Sequence, residues 1–169
     1  MKMAIERPKI TPIPTSTDKL VEVLGWIILL ALWGWTITHY SSLPETIPTH
    51  FNAAGEADGF GSKASVIGLP VIASVLFIGL TLLNRYPHIF NYPTAITQDN
   101  ALKQYTLATR MLRYLKLVLV LVFGGIEFMT IQNATGKAAG LGVWFLPLTL
   151  ILVFLPLVYF VINSLKKSH

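Results

Sequence analysis

The sequence predicts an all-α integral membrane protein, a bundle of about four transmembrane helices with both termini cytoplasmic and an ordered external loop after the first helix. The first observation is composition: 53% of the residues are hydrophobic, 12% are charged, and the mean hydropathy is +0.61. A soluble domain carries about 25% charged residues. The second observation is four apolar stretches near the length of about 20 residues that a helix needs to cross a bilayer.

The apolar stretches divide the chain into alternating membrane and aqueous segments of a single membrane domain, residues 1–169. The predicted transmembrane segments are 21–40, 64–84, 115–132 and 143–165. The remaining segments are predicted as a cytoplasmic tail (1–20), an external motif loop (41–63), a cytoplasmic amphipathic segment (85–114), an external loop (133–142) and a cytoplasmic tail (166–169). Gly124 and Gly125, within the third span, would let another helix approach closely.

The basic residues predict the orientation. Lysine and arginine concentrate in cytoplasmic loops. If the amino terminus is cytoplasmic, eleven of the thirteen lie inside: Lys2, Arg7, Lys9, Lys19, Arg85, Lys103, Arg110, Arg113, Lys116, Lys166 and Lys167. Only Lys63 and Lys137 then lie outside. The net charge of +5 is explained by this topology, and we do not expect nucleic acid as a partner.

The segment before the third span combines an apolar and a basic side. Thr97 is the predicted N-cap of a helix. The apolar residues recur at three- and four-residue spacing: Leu102, Tyr105, Ala108, Met111 and Leu112. Arg110 and Arg113 lie on the opposite side. Two interpretations of this segment stay open. It could be a cytoplasmic helical extension that lies against anionic lipid headgroups, or it could carry a dedicated site for a phosphate or lipid headgroup at the two arginines.

The external motif loop is the most informative part of the sequence. Pro44 and Pro48 favour extended backbone ahead of His50, and the glycine, asparagine and aspartate residues that follow are typical of turns. The residues Pro44, Ile47, Pro48, His50, Phe51, Asn52, Gly55, Asp58, Gly61, Ser62 and Lys63 form a motif. This motif resembles the signature of a bacterial membrane domain of unknown function that also forms the amino-terminal part of SdpI-type immunity proteins. The resemblance implies protection from a secreted peptide toxin, or signalling.

Three uses of this loop stay open. The candidate ligand-binding residues are His50, Asn52, Glu56, Asp58 and Lys63, together with Glu127 and Arg110. His50 and Asp58 could serve as ligands of a divalent metal. The loop could also be a structural turn, or a surface that binds an extracellular peptide or a lipid headgroup. No other cofactor is expected, and the absence of cysteine excludes thiolate sites.

Glu127 lies among apolar residues of the third span. An ionisable residue within a membrane is a functional candidate that faces the interior of the bundle. We hypothesise that Glu127 pairs with His50 or Lys63, either anchoring the loop or completing a polar pocket. The alternative is a hydrated or protonated carboxyl group near the interface.

Two functions from different classes follow. The first is a non-enzymatic binding protein, in a bacterial cytoplasmic membrane, that recognises an extracellular peptide or lipid headgroup. The second is a small enzyme or transporter, working with or without a metal, with a polar centre of His50, Asp58 and Glu127. The sequence lacks a Gly-x-Ser-x-Gly motif, a cysteine and a standard metal-hydrolase pattern, which favours binding over catalysis. The lipid bilayer is an expected partner, and homo-oligomerisation is left open.

Overall fold

The structure, a computed structural model, describes residues 7–166, so Lys2, Lys167 and the outermost parts of both predicted tails lie outside the described residues. Within this range the α-helices are α1 (Ser16–His39), α2 (Gly68–Leu83), α3 (Ala101–Ala134) and α4 (Phe145–Leu165). Two strands, β1 (Thr46–Phe51) and β2 (Ala57–Ser62), lie between α1 and α2. In the described range four helical segments are long and apolar enough to cross a membrane, which confirms the predicted number of spans.

The first helix begins at Ser16, five residues ahead of the predicted span. Thr15 and Asp18 explain this start, because they form a capping box. The Asp18 carboxylate accepts from the backbone N–H of Thr15 at 2.8 Å, and the Thr15 hydroxyl accepts from the N–H of Asp18 at 3.3 Å. These bonds satisfy backbone donors that a helix start otherwise leaves unpaired.

The third helix is longer than the predicted span. It has 34 residues, which corresponds to about 50 Å at 1.5 Å per residue. The amphipathic segment and the third span are therefore one continuous helix, and α3 packs against α1, α2 and α4. The predicted N-cap residue Thr97 makes capping bonds, although the regular helix begins at Ala101: its hydroxyl accepts from the N–H of Asn100 at 3.4 Å, and the Asn100 side-chain oxygen accepts from the N–H of Thr97 at 2.9 Å. The Thr97 carbonyl accepts from the N–H of Ala101 at 3.0 Å, whereas Asn100, directly before the helix, makes no side-chain capping bond.

The segment between α1 and α2 corrects the all-α prediction. β1 and β2 pair in an antiparallel hairpin, from Thr46 opposite Ser62 to Phe51 opposite Ala57, with an irregular register around His50. Pro48 lies within β1, and a hairpin tolerates it because each strand has an unpaired edge. The proline and glycine pattern that predicts a loop is thus compatible with a short, irregular β-ribbon.

The hairpin packs on the end of the helix bundle. Ile47 of β1 is 1% exposed and lies in an apolar cluster with Leu43, Val66 and Ile131. Because Ile131 belongs to the last turns of α3, this cluster fixes the base of the hairpin on the central helix.

Both described ends of the chain lie at the opposite end of the bundle from the hairpin. The Arg7 guanidinium donates to the carbonyls of His88 and Phe90 at 3.1 and 2.6 Å, which holds the amino-terminal segment against the connection between α2 and α3. The Gln104 side chain donates to the carbonyl of Ser164 at 2.8 Å, which joins the start of α3 to the end of α4. We call this the termini end, and the other the hairpin end.

Gly25 allows α1 and α2 to approach each other. A Cβ at this position would lie 2.7 Å from Cε2 of Phe77, closer than real Cβ contacts. Phe77 is 1% exposed and belongs to an apolar cluster with Leu29, Leu32 and Val120. The phenyl ring therefore occupies the space that any other side chain at position 25 would need. Gly125 has a similar but looser contact, with the Phe145 ring of α4 at 3.2 Å from a built Cβ.

We predict that Gly25→Leu lowers the midpoint of thermal unfolding in detergent, because forcing extra atoms into a packed core costs about 1–3 kcal/mol. Gly34→Leu is the matched control on the same helix, since a Cβ there meets no atom of residues 7–166 within 4 Å. Equal midpoints for the two variants would contradict the close packing of α1 against Phe77.

Candidate functional site

A cavity of about 340 Å³ lies between the hairpin, the start of α2 and the last turns of α3. Its apolar lining includes Ile47, Val66, Leu69 and Ile126, and its polar lining includes Thr49, His50, Thr130 and Glu127. Two of the predicted site residues, His50 and Glu127, therefore line the same space although they lie in different elements. The hairpin covers the position where a carboxyl group is buried in the bundle.

Glu127 is fully buried, with 0% exposure. The Thr36 hydroxyl of α1 lies 2.8 Å from its Oε1 and 2.9 Å from the carbonyl oxygen of Leu32, so the single hydroxyl proton is shared between these two acceptors. Glu127 Oε2 is also buried and has no hydrogen-bond partner among residues 7–166. The structure thus gives Glu127 a partner other than the hypothesised His50 or Lys63. Burying a carboxyl oxygen without a hydrogen-bond partner costs free energy, so Oε2 is the atom of the site at which a further donor would be most stabilising.

His50 and Asp58 form a pair across the hairpin. The distance from His50 Nδ1 to Asp58 Oδ1 is 2.5 Å, and the two side chains are 70% and 43% exposed. Gly59 makes room for this pair, because a Cβ there would lie 2.9 Å from the His50 Cβ. A carboxylate on Nδ1 orients the imidazole and leaves Nε2 for another partner. Asp58 is not among the residues that line the cavity.

Asn52 and Glu56 organise the tip of the hairpin. The Asn52 side-chain oxygen accepts from the N–H groups of Ala54 and Glu56 at 2.9 and 3.0 Å, and its amide donates to the Glu56 carboxylate at 3.1 Å. These bonds close the turn, which is the structural role that had been left open for the loop. Asn52 and Glu56 therefore shape the hairpin instead of contributing to the cavity lining.

The tip of the hairpin is joined to the connection between α3 and α4. The N–H of Leu141 donates to the carbonyl of Gly55 at 2.6 Å. Gly55 has φ of 80°, and a Cβ there would lie 2.6 Å from the carbonyl oxygen of Gly142. Because Leu141 also lines the cavity, this backbone contact joins the cavity wall to the tip of the hairpin.

Lys63 lies at the base of the hairpin and is used there. Its ammonium donates to the Glu45 carboxylate at 2.6 Å and lies 5.9 Å from the centre of the Tyr40 ring. The Glu45 side chain is 84% exposed, so this ion pair is a surface interaction of small net stability. Lys63 therefore has partners other than the hypothesised Glu127.

The described residues favour no complete metal site within the hairpin. His50 and Asp58 could contribute two ligands, but residues 7–166 contain no group of three or more His, Cys, Asp and Glu side chains arranged to hold a metal ion. A divalent metal at this pair would have to take its other ligands from backbone, water or a bound molecule.

A second polar centre, at the termini end, was missed by the sequence analysis. Lys116 is 1% exposed, and its ammonium donates to Glu22 and to Thr81, both at 2.6 Å. It also lies 4.6 Å from the centre of the Phe77 ring. Lys116 is therefore buried inside the bundle and is not one of the exposed basic residues that it was counted with. The sequence does contain a signal for this pair, because Glu22 and Lys116 are charges of opposite sign within the first and third apolar stretches.

Arg110 lies at this same end, in the first half of α3, whereas Glu127 lies near the other end of that helix. Its Nε is 3.3 Å from the Asp18 carboxylate, which is also 4.0 Å from Arg113. The seven predicted ligand-binding residues are thus divided. His50 and Glu127 share a cavity, and Asp58 pairs with His50. The hairpin and its base contain Asn52, Glu56 and Lys63. Arg110 belongs to another surface.

Part of this chain is similar to a family without a described activity. Residues 27–73, which run from α1 through the hairpin into α2, match the family described as "Domain of unknown function (DUF1648)". This match confirms a domain of unknown function in that segment. An uncharacterized protein of Archaeoglobus fulgidus is 36% identical over 121 residues, which are 66% of this chain and 66% of that protein. The match covers slightly less than two thirds of the relative. No solved structure matches the chain.

We predict that Gly55→Ala loosens the contact between the hairpin tip and the α3–α4 connection. A side chain at positive φ costs about 1–2 kcal/mol, and here it would also meet the Gly142 carbonyl. Gly136→Ala is the matched control, because Gly136 has φ of 71° but a Cβ there meets no atom of the described chain within 4 Å. Hydrogen exchange at the Leu141 amide should be faster in Gly55→Ala than in Gly136→Ala. The same rate in both would show that this contact does not hold the loop.

Proposed function

We propose that this chain is a non-enzymatic membrane binding protein whose cavity beneath the hairpin accepts an ammonium group of an extracytoplasmic ligand. The observation that carries the proposal is the buried Glu127 Oε2, which lacks a partner among the described residues and belongs to a residue lining the cavity. An ammonium group offers both a countercharge and hydrogen-bond donors to this oxygen. The apolar lining would contact the carbon atoms next to the amine.

The same chemistry occurs in two kinds of ligand, a peptide with a lysine or a free amino terminus and a phosphatidylethanolamine headgroup. The resemblance of the hairpin motif to SdpI-type immunity proteins supports a secreted peptide, with immunity or signalling as the outcome. We place the protein in a prokaryotic cytoplasmic membrane. The motif resemblance supports a bacterial membrane, while the similar protein reported above is archaeal.

The proposed orientation puts the hairpin end outside. At that end the described chain has the basic residues Lys63 and Lys137, whereas the termini end has Arg7, Lys9, Lys19, Arg85, Lys103, Arg110, Arg113 and Lys166. Even without the buried Lys116 this asymmetry favours a cytoplasmic termini end. The cavity beside Glu127 would then lie within reach of ligands outside the cell.

A membrane enzyme is the second candidate, and one observation supports it. The Asp58 carboxylate lies on His50 Nδ1, as in sites where a carboxylate orients a general base. Both side chains are largely exposed, however, and Asp58 does not line the cavity. Transport is less favoured. The reason is that the bundle holding the two buried polar centres also contains an apolar cluster, which is unsuited to a polar solute and consists of Leu29, Leu32, Ala73, Phe77 and Val120.

We predict that Glu127→Gln weakens binding of an amine more than about tenfold, because it removes the charge of a desolvated pair. The substitution keeps an oxygen that can accept from Thr36. The probes are a short amphipathic peptide with one lysine, its acetylated form, phosphatidylethanolamine, and phosphatidylcholine with the same acyl chains. Binding is measured by tryptophan fluorescence for the protein in detergent.

The wild type should bind one of the two amine probes and discriminate against its acetylated or methylated counterpart. The probe that binds identifies the source as peptide or lipid. Glu45→Gln is the matched control, since it removes one carboxylate from the same end of the molecule but at the exposed pair with Lys63. Equal binding of the amine and its blocked form, or no loss in Glu127→Gln, would refute the proposal.

The orientation is tested by labelling single cysteines with a membrane-impermeant maleimide, which is direct because the chain has no cysteine of its own. Lys137→Cys should react in intact cells, whereas Arg85→Cys should react only after permeabilisation. The reverse pattern would put the hairpin end in the cytoplasm and overturn an extracytoplasmic ligand.

A further inference from the structure

A groove of about 880 Å³ lies at the termini end, where α1 and α4 flank α3. Most of its lining is apolar and comes from all three helices, with Val21 on α1, Leu107 and Met111 on α3, and Leu155 and Phe160 on α4. Leu155 is 66% exposed, so the apolar wall on α4 opens to the surroundings of the bundle. This groove is separate from the cavity under the hairpin, at the other end of the molecule.

Two guanidinium groups line the polar part of the groove. Arg110 Nε is 3.3 Å from the Asp18 carboxylate, and Arg113 approaches Asp18 at 4.0 Å and Glu22 at 3.9 Å. Each guanidinium has five N–H donors, so these long contacts leave donors for another acceptor. The Arg110 side chain is 47% exposed and can reach a ligand in the groove.

The nearby carboxylates do not balance the arginines. Asp18 already accepts from the Thr15 N–H at 2.8 Å and from its hydroxyl at 2.7 Å. Glu22 is bound at 2.6 Å by the ammonium of Lys116. The two arginines therefore have as acceptors the Asp18 carboxylate, which already caps α1, and the Glu22 oxygen that Lys116 does not bind. The polar part of the groove has an excess of positive charge next to an apolar trough.

We infer that this groove binds a phospholipid with an anionic headgroup, with its acyl chain along the apolar trough and its phosphate group at Arg110 and Arg113. The helices on both sides are long and apolar enough to cross a membrane, so hydrocarbon chains are the material in contact with the trough. Guanidinium groups bind phosphate through paired hydrogen bonds. The inference does not rest on the amine site under the hairpin, because it uses residues at the other end of the bundle.

The experiment measures phospholipid binding to the purified full chain in detergent by native mass spectrometry. The probes are phosphatidylglycerol and phosphatidylcholine with identical acyl chains. The wild type should retain phosphatidylglycerol about tenfold more strongly than phosphatidylcholine, as expected for two arginines near one anionic lipid. The double variant Arg110→Gln/Arg113→Gln should lose this preference.

Arg85→Gln is the control, because it removes a positive charge at the same end of the bundle from a residue that does not line the groove. Met111→Trp tests the trough without altering the arginines, and it should reduce phosphatidylglycerol retention while the midpoint of thermal unfolding in detergent stays near that of the wild type. Equal retention of the two lipids, an unchanged preference in the double variant, or an equal loss in Arg85→Gln would overturn the inference. Displacement of the lipid by glycerol phosphate alone would also overturn it, since it would show an anion site without a role for the trough.

Discussion

An ionisable side chain inside a bilayer has to face protein, since hydrocarbon cannot solvate it, and this constraint explains why α3 is the central helix. Lys116 and Glu127 both belong to α3 and are 1% and 0% exposed. Each needs polar partners from neighbouring helices, and α1 supplies Glu22 for the lysine and Thr36 for the carboxyl group. Lys116 and Glu127 therefore require α1 to pack closely against α3. Gly25 permits close packing within the bundle, because it leaves space for the Phe77 ring.

The two centres differ in how complete they are. Lys116 has a carboxylate, a hydroxyl and an aromatic ring around its ammonium, so its charge is fully engaged within the chain. Glu127 has one hydroxyl and leaves an oxygen unpaired among the described residues. A polar centre that is satisfied internally serves packing, whereas one that is left unsatisfied beside a cavity is suited to a ligand. The same physical principle thus gives the termini-end pair a structural role and supports the binding role proposed for the hairpin-end carboxyl group.

The sequence predicted those features that depend on composition along the chain. Apolar stretches of sufficient length identify membrane-spanning helices, and an acid within one of them identifies Glu127 as a residue facing the interior. Features that depend on local hydrogen bonds were not predicted well. The capping box at Thr15 starts α1 early, and the hairpin forms from residues whose proline and glycine content suggests a loop. The hydroxyl of Thr97, in contrast, accepts from the N–H of Asn100 as expected of a capping residue.

Pairing between distant elements could be predicted least. The buried Glu22–Lys116 pair joins residues 94 positions apart, and their charges alone do not indicate which of them is exposed. Likewise, the sequence brings His50 and Glu127 to the same end of the bundle but does not decide whether they bond to each other. Their actual partners, Asp58 and Thr36, follow from the strand register and from the helix packing.

The location of cations relative to Glu127 decides what its cavity can bind. Lys63 lies at the base of the hairpin, where it is engaged with the exposed Glu45 and the Tyr40 ring. His50 lines the cavity, but its Nδ1 is occupied by Asp58. The hairpin therefore covers a buried carboxyl group that bonds to neither Lys63 nor His50, although Nε2 of His50 is left for another partner. Residues 7–166 give Glu127 Oε2 no internal ion pair, and this supports the proposal that the cavity binds an amine.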